Sequence, residues 1–339
     1  MHSHHSHSGS YSQHGSSPLD SMIEQAEKLH MKTFCLTEHV PRRNAKYLYP
    51  EEKNNSDDCV NLDRLYQDFN KFVIHAQWIK KERQNGPTKY IIGTEIESCD
   101  EDQIMYAKEF MTKYSDVLKF CVGSVHHING VPIDFDQENW DLALKSSNNN
   151  LKDMLLSYFN DQFKMIQTMK PLVVGHFDVY KLFLPQNLLV NSLTGDVVFE
   201  RNHTDNNVLA VKDIPSLINN WDEVREIVIR NLKFIDSYGG VLEINTSALR
   251  KKLAEPYPSK DICELAKQYC GGRFVLSDDS HSVEQVAVCY REALDYIVNV
   301  IKLNTMYYLD DGDGEKLKAL PIPIDEYKND FFWKQSCLP

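Results

Sequence analysis

Six times along this chain a short apolar run with β-character ends in a cluster of polar, chemistry-bearing residues. The runs and their ends read TFCLTEH, KYIIGTE, LKFCVGSVHH, PLVVGH, GGVLEINTS and GRFVLSDDSH. Stretches with apolar residues at helical spacing lie between them, at 19–29, 61–84, 101–114, 151–169, 222–237, 259–269 and about 282–302. Continuous apolar strands alternating with amphipathic helices argue for parallel βαβ units. If the sheet closes into a barrel, all strand C-termini open on one face and the six polar clusters converge there. A single TIM-like α/β barrel of about seven strands is therefore expected over 1–305, with an aperiodic insertion at 185–215 and a tail at 306–339 packing on the barrel. A doubly wound open sheet is the competing arrangement, weakened because no GxGxxG follows the first strand.

The seventh strand must come from the start of the chain, MHSHHSHSGSYSQHG. Side chains two apart on a strand share a face, so His5 and His7 can offer two imidazoles to one metal, with His14 reaching in from the turn. His2 and His4 compete for the role, and a flexible histidine-rich tract is the alternative reading. What decides is whether partners wait elsewhere. The strand ends supply them: His39, Glu95, His126, His176, Asp279 and His281 are side chains that hold Zn, Fe or Mn. Of Glu95 and Glu97, one is expected to face the site and the other to be a solvated or supporting carboxylate. His126 and His127 are adjacent and point opposite ways, so one belongs to the site. Asp278 competes with Asp279. His30, His75 and His203, in helices or the insertion, are read as structural. So many candidate ligands exceed the needs of one ion, and a multinuclear site with Glu95 bridging follows.

The net charge of −12, from 37 basic and 49 acidic residues, disfavours nucleic acid or an anionic membrane as partner. It leaves a small phosphorylated substrate open. The eight cysteines are scattered without a CxxC pair, which favours buried thiols in a reducing compartment. No run of about 18 apolar residues or signal-peptide core is present, so the chain reads as cytoplasmic.

In this order, HSHSGSYSQHG, TEH, GTE, GSVHH, VVGHFD, INTSALRK and SDDSH resemble the polymerase-and-histidinol-phosphatase (PHP) superfamily, and within it the fungal histidinol-phosphatases of histidine biosynthesis. The resemblance runs from the first residues to about 303. It implies a distorted (β/α)7 barrel with three metals, and hydrolysis of L-histidinol phosphate to L-histidinol and phosphate. Carried onto this sequence, His5, His7, Glu95 and Asp279 would hold the first metal. Glu95, His126 and His176 would hold the second, and His14, His39 and His281 the third. The register favours His5/His7 over His2/His4 because it leaves His14 before its glycine at the family spacing. The doubled aspartate of SDDSH departs from the family, and Asp279 is preferred for its D-x-H spacing to His281.

A hydroxide bridging the first two metals is the expected nucleophile, with Glu95, Asp279 and His281 as catalytic residues. Arg250 lies just past a strand end, where a guanidinium can grip phosphate; Lys181 is a weaker second candidate. Glu97, Asp178, Glu243 and Asn245 are candidates for the ammonium and imidazole of the substrate. Arg42 and Arg43 read as residues of a solvated loop. No residue stands out as the acid for the leaving group. A phosphoesterase acting on nucleotides or other small esters, and a metal-binding module without catalysis, are the alternatives.

Overall fold

A computed structural model describes residues 1–199, 206–312 and 316–335. Seven parallel strands form one sheet in strict sequence order: β1 His2–Ser3, β2 Thr33–Leu36, β3 Lys89–Glu97, β4 Phe120–Ser124, β5 Val173–Val174, β6 Val241–Asn245 and β7 Phe274–Ser277. The first and last strands then meet. His7 N–H donates to Ser280 O (2.8 Å), Asp279 N–H donates to His5 O (3.1 Å), and Ser6 bridges Ser280 in parallel register. These bonds bring the sheet close to a closed (β/α)7 barrel.

Strand alternation sorts the residues into two layers. Cys35, Ile91, Phe120, Val122, Val173, Val241 and Val275 point inward and form a small apolar core inside the barrel. Their outward neighbours, such as Phe34, Ile92, Val174, Leu242 and Leu276, join the large core beneath the helices. Two residues further along each strand the inward positions become Thr37, Gly175, Glu243 and Ser277, and Ile91 leads through Gly93 to Glu95. The barrel is thus apolar at the N-terminal ends of its strands and polar at their C-terminal ends.

The apolar end is sealed by the chain's last segment. Strands β8 Thr305–Asp310 and β9 Lys318–Pro323 pair antiparallel, and Leu309 and Leu317 complete the inner apolar cluster. Leu309 N–H donates to His4 Nε2, whose Nδ1 donates to Leu276 O, and His2 stacks on Tyr308. His2 and His4 are therefore held in the floor of the barrel. Phe332 and Trp333 of the DFFW run pack into the outer core.

The helices have local causes. Asp57, Asp100 and Asn150 cap the helices Asp58–Glu82, Glu101–Lys113 and Leu151–Met169 by accepting from backbone N–H groups of the first turn. Gly239, at φ 79°, ends Asp222–Tyr238 in the left-handed conformation. The helix expected from 282 begins only at Tyr290 and passes into a wider turn over Tyr296–Val300. Ala287 and Cys289 have positive φ (63° and 58°), and Ala287 N–H donates to the Asp278 carboxylate instead of a helical carbonyl. The 185–215 insertion contains a small antiparallel pair, Leu189–Asn191 with Val208–Ala210. His203 lies outside the described residues. No described helix is long and apolar enough to cross a membrane.

Candidate metal centre

Strand β1 stops at Ser3, shorter than the His5/His7 strand expected, because beyond it the chain bonds to Ser280 and Thr37 rather than to β2's ladder. The two-residue spacing still does its work: His5 Nε2 and His7 Nε2 face each other at 3.0 Å. Across from them, Glu95 Oε2 lies 3.3 Å from each, and Asp279 Oδ1 lies 3.7 and 3.6 Å away. The second oxygen of the same carboxylate faces another pair. Glu95 Oε1 is 3.1 Å from His176 Nε2 and 3.5 Å from His126 Nε2, and those two nitrogens are 3.0 Å apart. One buried carboxylate therefore stands between two pairs of imidazoles.

Nitrogens and carboxylate oxygens this close are spaced as the ligands of a shared cation are. A tetrahedral shell at about 2.1 Å has ligand–ligand edges of about 3.4 Å, and the separations here run from 3.0 to 3.7 Å. The donor set is N/O only, which fits Zn, Fe or Mn. His5, His7 and Asp279 form one candidate ligand group, Glu95, His126 and His176 a second, and His7, His39 and His281 a third.

Electrostatics report the same convergence. Burial alone would push the His126 imidazole down, but Asp134, Glu95 and Glu97 outweigh it and hold it up at about 9. His39 is held at about 10 against burial by Glu95 and Glu97. Against burial, the surrounding histidines, His5 first, hold Glu95 and Asp279 below the usual carboxylate range. The acidic surroundings thus favour positive charge at His39 and His126.

Local backbone shapes the site. Asp279 adopts φ 50°, rare for a residue with a side chain, and its carbonyl receives Arg250 Nη2 (3.1 Å) and His281 Nδ1 (2.9 Å). Asp278 faces the other way, accepting from Ser3 Oγ, Ser280 N–H and Ala287 N–H. Gly175 is required because a Cβ there would lie 2.5 Å from Ser124 Oγ. Gly9 and Gly15 touch backbone to backbone where the first loop closes on itself.

A PHP domain family model matches residues 3–247. The chain belongs to the PHP family. A Saccharomyces cerevisiae histidinol-phosphatase is 52% identical over 98% of this chain and 99% of its own length. A Schizosaccharomyces pombe protein assigned to the same class is 33% identical over 94% of this chain and 93% of its own. The chain is thus a histidinol-phosphatase-type member of the PHP family. The crystal structure of a Listeria monocytogenes protein assigned as a histidinol phosphatase superposes with a TM-score of 0.62 at 20% identity, covering 86% of this chain and 99% of that one. At that identity the match speaks for the barrel fold.

The remaining residues of this PHP site differ in how far the structure brings them in. His14 lines the cleft above the ligand groups, edge-on to His39 at 5.8 Å, and its Nδ1 meets Glu51. It stands at the rim and outside the third group, where His7 sits instead. Glu97 faces inward like Glu95, as a period of two demands, so the two do not divide between faces; Glu97 is buried and stands as a supporting carboxylate rather than a solvated one. Its Oε1 lies 3.1 Å from His39 Nδ1, and it is paired with Arg42. Arg42 is 2% exposed and also meets Glu52, so it is an interior cation and not part of a solvated loop. His127 turns away from His126 toward Glu97, Cys99 and Tyr47.

Arg250 lines the cleft, and its described partners are the main-chain carbonyls of Asp278 and Asp279. Lys181 points elsewhere, held by Asp178, Ser259 and Asp261 beside a neighbouring cavity of about 940 Å³. Asn245 is buried and donates to Glu243 while accepting from Ser247 N–H. Glu243 does not face the substrate cleft. It accepts from His5 Nδ1 (3.1 Å), His176 N–H (2.7 Å) and Asn245 Nδ2 (2.7 Å). Such a carboxylate fixes the tautomer that leaves His5 Nε2 free to bind metal. Asp134 and Phe135 also line the cleft and carried no signal in the sequence, because they follow a two-residue strand of a small hairpin and not a barrel strand.

Proposed function

We propose that this chain hydrolyses L-histidinol phosphate to L-histidinol and inorganic phosphate at a centre of three metal ions. The observation that carries the reading is the single Glu95 carboxylate between two imidazole pairs, with a third group of histidines beside it. His5, His7 and Asp279 with Glu95 Oε2 would hold one ion, and Glu95 Oε1 with His126 and His176 a second. His39 and His281 would hold the third, with His14 approaching from the rim. Bound there, divalent metals lower the pKa of a coordinated water toward neutrality and neutralise phosphate charge.

The chain's own groups do the rest. Arg250, with no carboxylate to neutralise it among the described residues, grips the phosphate oxygens. Glu243 keeps His5 in the metal-binding tautomer, and Glu97 with Arg42 buttresses His39. Water attacks phosphorus in line, the ester P–O bond breaks, and the departing alkoxide takes a proton to give the alcohol.

The test is phosphate release from L-histidinol phosphate, a nucleoside monophosphate and an aryl phosphate, with metal content measured on protein prepared without chelators. The expected result is a kcat/KM for histidinol phosphate well above the others and at least two metal equivalents per chain. Preferential turnover of the nucleotide would overturn the substrate, and full activity with one metal equivalent would overturn the centre.

A further inference from the structure

The cleft above the ligand groups, about 320 Å³, is charged differently at its two sides. On the side of Asp279, Arg250 presents a guanidinium whose described partners are only main-chain carbonyls. On the side of His126 stands Asp134. Its Oδ2 lies 3.9 Å from His126 Nε2, it belongs to none of the ligand groups, and its Oδ1 is buried without a hydrogen-bond partner. A buried carboxylate oxygen left unpaired is costly and is tolerated where a ligand supplies the missing donor. Next to it Phe135 is 38% exposed and packs on Tyr49, ring centroids 5.6 Å apart at 30°. The chain therefore offers, on one side of the metal groups, a guanidinium with no carboxylate partner among the described residues, and on the other a carboxylate with one oxygen unpartnered beside an open aromatic face.

A phosphomonoester carrying an alkylammonium group and a flat ring matches that pattern end for end. The geometry points to Asp134 as the residue that selects the substrate, by pairing with its ammonium group while Phe135 and Tyr49 cover the ring. This rests on the phosphatase reading above and adds the recognition of the organic half. The ammonium pairs with the Asp134 carboxylate where it lines the cleft, and the aromatic wall contributes stacking and cation–π attraction. Asp134 is 18% exposed on its side chain, shielded enough for the pair to be worth more than a surface contact.

The experiment compares wild type and Asp134→Asn on three phosphate esters: L-histidinol phosphate, its deamino analogue, and phenyl phosphate. With wild type, loss of the amine is expected to lower kcat/KM by roughly ten- to a hundredfold, the range for a hydrogen bond to a charged group. Asp134→Asn is expected to lower it on histidinol phosphate by a similar factor. On the deamino analogue and phenyl phosphate it should change little, with metal content as in wild type. Equal losses on all three esters, reduced metal content, or a wild type indifferent to the amine would each overturn the assignment. The wild-type comparison holds even if the variant folds poorly. Absence of wild-type turnover of histidinol phosphate would instead defeat the phosphatase reading itself.

Discussion

Glu243 offers the sharpest separation between holding the fold and holding the metal. It is fully buried and receives three donors: the His5 ring, the His176 backbone N–H and the Asn245 amide. Replacement by Ala strands all three. At about 1–3 kcal/mol for each orphaned buried donor, the cost is about 3–9 kcal/mol, comparable with the whole stability of a domain. Glu243→Ala is therefore expected to be insoluble or unfolded. Glu243→Gln keeps the shape and an acceptor oxygen but removes the charge that fixes the His5 tautomer. Loss of such an outer carboxylate typically lowers metal affinity 10–100-fold, about 1.4–2.8 kcal/mol. The assay is chelator competition on purified Glu243→Gln, reading metal retained against free chelator, beside thermal unfolding of the metal-free protein. A weaker metal affinity with a folded apo form is the expected pair. Wild-type retention at every chelator concentration would refute the role given to this carboxylate.

Glu95→Ala removes both halves of the bridge and should abolish phosphate release and lower the metal stoichiometry while leaving circular dichroism unchanged; near-normal turnover would contradict the multinuclear centre. Deleting residues 1–8 removes His5 and His7 together with the first strand, so activity should vanish, and an active deletion would return that stretch to a dispensable tract. In metal-free protein the folded-state pKa values of His39 (about 10) and His126 (about 9) exceed the unfolded 6.5. Their contribution to stability is full below pH 6.5 and is lost as pH rises through 9 to 10, whereas metal binding, which needs neutral imidazoles, strengthens over that window. The gap in Tm between metal-loaded and metal-free protein should widen from pH 6.5 to 10, and a metal-free Tm that stays flat would count against the cluster's electrostatics. Leu309→Ala opens a cavity in the sealed inner core and should cost about 2–5 kcal/mol in denaturant unfolding while leaving KM unchanged.

Much of this was legible in order and spacing. Polar clusters at the ends of apolar runs required a common face, and the parallel sheet in sequence order provides it. The positions hardest to read were those whose partners are distant in the chain. Glu243 sits in a strand end like Glu95, and nothing local distinguishes a carboxylate that braces His5 from one that meets the substrate. Arg42 sits in a polar stretch, and only Glu52 and Glu97 make it an interior residue. The late start of the last helix follows from left-handed backbone at Ala287 and Cys289, to which neither residue type points. Glu95 and Glu97 were different: a strand period of two puts both on one face, which the expectation of only one facing the site overlooked.

The seal on the barrel floor also bears on when the protein becomes active. His5 and His7 are synthesised well before the residues that hold them, Glu243, Asp279 and Ser280, and the floor beneath them closes only with Leu309 and Leu317. At roughly 5–20 residues per second, the first ligands wait tens of seconds for the last. Until then His5 and His7 lack the carboxylates and backbone partners that fix them. The His5, His7 and Asp279 group is therefore complete only when most of the barrel has been made.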